Sequence, residues 1–114
     1  LRSNPFDAMF AAGVVVCGGS DSDVTEPRPL LGIHASVNRA VPEHNLTIRQ
    51  ALEMYTVNGA YALFEDKQKG MLAPGYLADI VVLDRDLMAV PKAQLEQACV
   101  TVTIKSGSVL YSQQ

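Results

Sequence analysis

Carboxylates, histidines and cysteines are the residues here whose types could do chemistry. Asp21 follows an uninterrupted apolar run, Val14-Val15-Val16-Cys17, and a short turn, Gly18-Gly19-Ser20. A carboxylate can in general take a proton from water. It can equally tie down the N–H groups of its own turn, and Asp23, two residues on, reads as such a turn cap. The Gly-Gly-Ser segment could cradle a phosphate through its backbone amides, although three such residues are a weak signature. The two histidines are His34 and His44. Four residues beyond His34 stands Asn38, a poor metal ligand, so His34 reads as a packed, hydrogen-bonded histidine. His44 falls in the polar segment Pro42-Glu43-His44-Asn45 and is expected to be solvated. Cys17 and Cys99 each sit in a short apolar run and read as buried, reduced thiols. They are too far apart for a CxxC site, and a single disulfide between them stays open.

Those residues need elements to hold them. Asn4 is placed to cap a helix with Pro5 at its first position. Phe6, Met9 and Phe10 share one helical face, and Gly13 suits a left-handed C-terminal cap. The β-branched run at 14–17 predicts a strand buried on both faces, as in a parallel sheet. Pro27 and Pro29 hold the next residues out of a regular helix. Leu30, Ile33, His34 and Val37 then recur at helical spacing, predicting a short helix to about Ala40. Thr47 and Gln50 form a capping box for the clearest helix, expected to run over residues 47–64 with Tyr55 and Tyr61 as packing residues. Gly70, Pro74 and Gly75 mark turns. Asp79 is expected to tie down loop amides ahead of a strand at 80–83, and Asp84-Arg85-Asp86 reads as its solvated exit. Pro91 opens a short helix to Gln97. Residues 100–105 and 109–111 form a hairpin around Ser106-Gly107.

The 114 residues are 48% hydrophobic and 18% charged, which is globular rather than disordered. A net charge of -3 without a basic cluster argues against nucleic acid as a partner. No apolar stretch approaches the roughly 20 residues of a membrane helix. The start shows no basic region leading into an apolar core, so no secretory signal is expected and the cytoplasm is the expected compartment. The chain begins at Leu1 and runs at once into a helix start, which leads us to expect a cut within a larger fold or a processed product.

Three stretches together resemble the amidohydrolase superfamily, in particular its imidase-, amide- and formamide-hydrolysing members. They are Gly18-Gly19-Ser20-Asp21; Leu46-Thr47-Ile48 leading into Ala51-Leu52-Glu53-Met54-Tyr55-Thr56-Val57-Asn58-Gly59-Ala60; and Gly70-Met71-Leu72-Ala73-Pro74-Gly75-Tyr76-Leu77-Ala78-Asp79-Ile80-Val81-Val82-Leu83-Asp84. The resemblance implies an α/β fold: the C-terminal fragment of a (β/α)₈ barrel, with its last strand and flanking helices in residues 1–65. Residues 66–114 would then form the β-rich part of a small composite sandwich. It implies that Asp21 ends the eighth barrel strand, binds or adjoins a divalent metal, Zn²⁺ in the intact family, and moves a proton between attacking water and leaving group. Asp21 is therefore both the catalytic and the metal-site residue that the resemblance names. Two departures stand out. Asp23 occupies a position usually held by proline, and the family's His-x-His pair and further His and Lys or Glu ligands have no counterpart. A complete barrel takes about 250 residues.

The expected parent reaction is hydrolysis of a non-peptide, amide-type C–N bond in a small-molecule substrate. The chain by itself is expected to bind no metal and to be inactive. A central barrel strand with open edges invites pairing, so self-association or a complementary chain is expected. Two alternatives are a non-catalytic, oligomerising interaction module and a nucleotide enzyme similar to the carboxyaminoimidazole ribonucleotide mutases, which Gly-Ser-Asp-Ser-Asp also resembles. The mutase reading predicts a Ser-Ala-His-Arg segment, where this chain has Ser36-Val37-Asn38-Arg39.

Overall fold

The computed structural model describes residues 4–113. Helix α1 (Phe6–Ala11) opens the chain, followed after a long loop by α2 (Pro29–Val37) and a 3-10 turn (Pro42–His44). Helices α3 (Ile48–Met54) and α4 (Val57–Ala62) come next. The second half holds β1 (Ile80–Leu83), a 3-10 segment (Lys92–Gln97), β2 (Val100–Lys105) and β3 (Ser108–Ser112).

The start of α1 differs from the expected cap. Asn4 lies in the left-handed region at φ 54°, Pro5 flanks the helix, and no side chain caps it. The Asn4 carbonyl instead accepts from the Phe6 N–H at 2.8 Å and from the Arg39 guanidinium at 2.7 Å. The C-terminus is as expected. Gly13 takes φ 76°, and the amides of Gly13 and Val14 reach back to the carbonyls of Phe10 and Met9, both at 3.0 Å. This crossed pair closes the helix with a left-handed glycine.

Residues 14–17 are not a strand. They run extended with no ladder partner among the described residues. Val14 and Val15 are 46% and 48% exposed, and Val16 alone is buried. A buried parallel strand needs neighbours on both edges, and here the backbone finds other partners. Asn58 Nδ2 donates to the Val16 carbonyl at 2.9 Å, and the Gly18 amide donates to the Met54 carbonyl at 3.0 Å. The cysteines are also not as expected: Cys17 and Cys99 are free thiols, and both are exposed.

Thr47 caps α3 as the sequence predicts. Its hydroxyl accepts from the Gln50 amide at 3.1 Å, and the Gln50 side chain accepts from the Thr47 amide at 2.9 Å. The single helix expected over 47–64 breaks at Tyr55 and Thr56, where Thr56 takes φ -129°, ψ -98°. Two bonds explain the break. The Thr56 hydroxyl donates to the Leu52 carbonyl at 2.8 Å, a bond that competes with helix continuation. The Met54 carbonyl is taken by Gly18.

Val16, Ile33, Val37, Leu46, Ala51, Met54, Leu87, Leu95 and Ala98 form one buried cluster. Leu95, from the 3-10 segment that packs on α2, is fully buried. The sheet lies beside this core in the order β1-β2-β3, antiparallel throughout. Ser106 and Gly107 both have positive φ, 49° and 81°, the pair a two-residue hairpin turn requires. Asp79 holds that turn, as the sequence reading has it: one oxygen accepts from the Ser106 amide at 2.9 Å and the other pairs with Lys105. The radius of gyration, 14.7 Å, exceeds the about 13 Å of a closely packed chain this long. Strand β3 is exposed along its length.

The exit of β1 is solvated as expected, with Asp84 and Asp86 exposed, and it is also bonded. Asp84 accepts from the Cys99 amide at 2.9 Å and pairs with Arg85 at 2.8 Å. The Arg85 guanidinium first, and the Cys99 amide second, hold its carboxyl at about 2, below the usual carboxylate value of about 3.9. A depressed folded-state value means that the contribution of Asp84 is complete above about pH 4 and disappears as pH falls towards 2. Thermal melts of wild type and Asp84→Asn should therefore differ most above pH 4 and converge near pH 2. A gap that stays constant over that range would contradict this linkage.

Candidate functional site

Asp21 sits on the loop that connects residues 14–17 to α2. Its backbone is left-handed at φ 50°, a conformation that Asp tolerates better than most residues. The Val24 amide donates to its carbonyl at 2.7 Å, and the Thr25 hydroxyl donates to the Ser20 carbonyl, so the loop is bonded to itself. The carboxylate of Asp21 is exposed and takes no hydrogen bond from the described residues. It is therefore free to meet a solute, and it does not cap its own turn. Asp23 accepts from the Ser22 hydroxyl at 3.3 Å and is equally exposed.

The chain ahead of Asp21 is fixed at the corner between α3 and α4. Beside the amide contacts of Val16 and Gly18, the Tyr55 ring lies against two glycines. A Cβ on Gly18 would fall 2.6 Å from ring atoms Cε2 and Cζ, and one on Gly32 would fall 1.9 Å from the phenol oxygen. Only glycine allows this approach from the loop and from α2. Burial pushes the Tyr55 phenol above its ordinary value, which leaves it protonated at neutral pH. A groove of about 930 Å³ opens here, lined by residues 17–20 of the loop, Arg28, Arg39 and Tyr55 among others. Asp21 stands one residue beyond the lining residue Ser20.

The histidines are not part of this groove. His34 has the Asn38 amide 3.4 Å from Nδ1, in accord with a hydrogen-bonded role. His44 is not solvated as expected; it is partly buried, with Nδ1 2.8 Å from an Asp7 oxygen, because the 3-10 turn folds back on α1. Tyr61 is exposed rather than packed. Asn58, Arg28 and Arg39 belong to no functional pattern in the sequence, yet they lie at this corner or line this groove. Nothing in the sequence around Asn58 signals its long-range contact with Val16.

A divalent cation needs several donors in one place. Among the described residues no three His, Cys, Asp or Glu side chains are grouped. Asp21 offers one carboxylate, so these residues do not by themselves fit a metal site. No helix of the described residues is long and apolar enough to cross a membrane.

Comparison with known proteins decides the family. The model described as "Amidohydrolase family" matches residues 1–111. The chain belongs to the amidohydrolase family. YtcJ of Bacillus subtilis (strain 168), whose name assigns it to the amidohydrolases, is 32% identical over 113 residues, covering 90% of this chain and 21% of that protein. N-substituted formamide deformylase of Arthrobacter pascens is 30% identical over 118 residues, covering 97% of this chain and 22% of the relative. The amidohydrolase structure from Thermotoga maritima MSB8 superposes with a TM-score of 0.74 at 18% identity, over 94% of this chain and 25% of that one. That last likeness shows the fold. The amidohydrolase chain described here thus spans about a fifth of the length of these curated relatives.

Proposed function

We propose that this chain is the C-terminal, proton-handling part of an amidohydrolase that cleaves a non-peptide, amide-type C–N bond. The observation that carries the reading is an unbonded carboxylate, Asp21, on a loop clamped to the α3–α4 corner in a chain of this family. Asp21 takes a proton from the attacking water as the O–C bond forms. It returns that proton to the nitrogen as the C–N bond breaks, so that a carboxylic acid and an amine leave. A carboxylate that accepts and then donates the same proton is ordinary general base and general acid work. The family resemblance adds a divalent metal, with Zn²⁺ the candidate, whose chemistry is to acidify the water. Its remaining donors would come from outside this chain. Soluble cytoplasmic enzyme chemistry and a small amide, imide or formamide substrate belong to the same reading.

The polypeptide that carries this chain together with the rest of the family's length, supplied with Zn²⁺, should release amine from an N-substituted formamide. Asp21→Asn should stop it. Release that survives this substitution would remove Asp21 from the role, and failure to cleave any amide, imide or formamide would remove the reaction.

The apolar surface favours a second component of the reading, that another polypeptide surface covers this one. Phe64, Leu72 and Leu110 are 94%, 80% and 69% exposed, and Val14 and Val15 are half-exposed. Where exposed apolar residues are contiguous they mark contact surfaces. The 114-residue chain alone should sediment as species larger than a monomer at micromolar concentration. A monomer that persists on dilution and unfolds cooperatively would contradict this.

A further inference from the structure

No strand among the described residues pairs with the segment ahead of Asp21. Among the described residues its orientation comes from three contacts at one corner. Asn58 Nδ2 donates to the Val16 carbonyl, the Gly18 amide donates to the Met54 carbonyl, and the Tyr55 ring rests on Gly18. Two of these follow from the backbone and from bulk. The first is made by a polar side chain reaching across 42 residues of sequence in a partly buried place. Asn58 lies in the first turn of α4, where an asparagine commonly serves its own helix, yet its amide turns away from that helix to the loop.

We propose that Asn58 is a positioning residue for Asp21. Its amide occupies the Val16 carbonyl as a neighbouring strand would. It thereby fixes the direction in which the chain leaves Val16 for Gly18, Gly19, Ser20 and Asp21. The inference rests on the reading of Asp21 given above. Its chemical logic is that a base must lie within hydrogen-bond reach of the proton it takes, and a displacement of about 1 Å can cost a hundredfold in rate. Asp21 has no bond of its own to correct such a displacement.

The test uses the complete Zn²⁺-supplied polypeptide with an N-substituted formamide, and hydrogen exchange on the same protein. Asn58→Ala should lower kcat between about tenfold and a hundredfold with KM little changed, which is the split that a misplaced base produces. The amides of residues 18–22 should exchange faster while those of α3 keep their rates. Asn58→Asp keeps the volume and removes the donor, so it should be at least as impaired as Asn58→Ala. A merely space-filling Asn58 would leave Asn58→Asp close to wild type, and that result overturns the proposal. A further measurement needs no variant: the Asn58 side-chain amide protons of the wild type should exchange slowly, and exchange at the rate of a free amide overturns the proposal. The two readings separate cleanly. If Asp21→Asn leaves hydrolysis intact while the exchange pattern shifts as expected, the role of Asp21 fails and the anchoring of the loop by Asn58 stands. If Asp21→Asn abolishes hydrolysis and Asn58→Ala changes neither kcat nor exchange, the positioning role fails alone.

Discussion

Asp21→Asn should lower hydrolysis of an N-substituted formamide by about 10²–10⁴-fold, the range set by removal of a general base, while leaving the thermal midpoint almost unchanged. The separation of the two readouts follows from geometry. The Asp21 carboxylate is exposed and unbonded among the described residues, and a surface change of this kind usually moves stability by about 0.5 kcal/mol or less. Asparagine is the right replacement because the position has φ 50°, which asparagine also tolerates. Alanine there would add a backbone cost of about 1–2 kcal/mol and mix stability with chemistry. The asparagine amide keeps the shape of the carboxylate but has no site that takes a proton from water at neutral pH. Asp23→Asn is the internal control. Its carboxylate already faces the Ser22 hydroxyl, and its loss should change the rate far less. Equal losses at both positions would mean that the loop works through its charge rather than through a proton transfer at Asp21.

The features legible in the sequence were those that local chemistry decides. Thr47 and Gln50 satisfy each other across one helical turn, so the cap needs nothing from the rest of the chain. Ser106-Gly107 turns because both residues accept positive φ. The Gly13 cap is equally local. The features that were not legible depend on partners distant in sequence. The run at 14–17 has strand composition, but composition supplies no neighbour, and among the described residues none pairs with it. The helix expected over 47–64 breaks because the Met54 carbonyl is taken by Gly18, far earlier in the chain, which no periodicity encodes. From its polar neighbours His44 reads as solvated, yet its partner Asp7 lies 37 residues away. The family assignment is legible because it rests on motifs, above all Pro74-Gly75-Tyr76-Leu77-Ala78-Asp79, whose residues are read directly even though Asp79 is anchored 27 residues away at Ser106. The surroundings of Asp21 are not, because Asn58 and Tyr55 reach it only through the tertiary corner.

Gly32→Ala should destabilise the chain, against the usual direction for such a change. Gly32 lies inside α2 (Pro29–Val37), and replacing an interior helical glycine by alanine ordinarily gains about 0.5–1 kcal/mol. Here the added methyl would sit 1.9 Å from the Tyr55 phenol oxygen and 2.6 Å from Cζ. The ring also lies close to the Gly18 backbone, where an added Cβ would fall 2.6 Å from it, which limits its room to move. Overpacking of this kind costs about 1–3 kcal/mol, so the steric cost exceeds the helical gain and the net change in urea unfolding is a loss. The competing magnitudes predict a change of sign in a second background. With Tyr55→Ala present, the methyl meets no ring and only the helical term remains, so adding Gly32→Ala to Tyr55→Ala should raise stability. Non-additivity of this size is what contacting residues show in a double-mutant cycle. If Gly32→Ala stabilises the protein in both backgrounds, the ring does not lie between α2 and the loop, and the clamp that leads from the α3–α4 corner to Asp21 is wrong in its geometry. If it destabilises in both, the close approach at Gly32 involves something other than Tyr55.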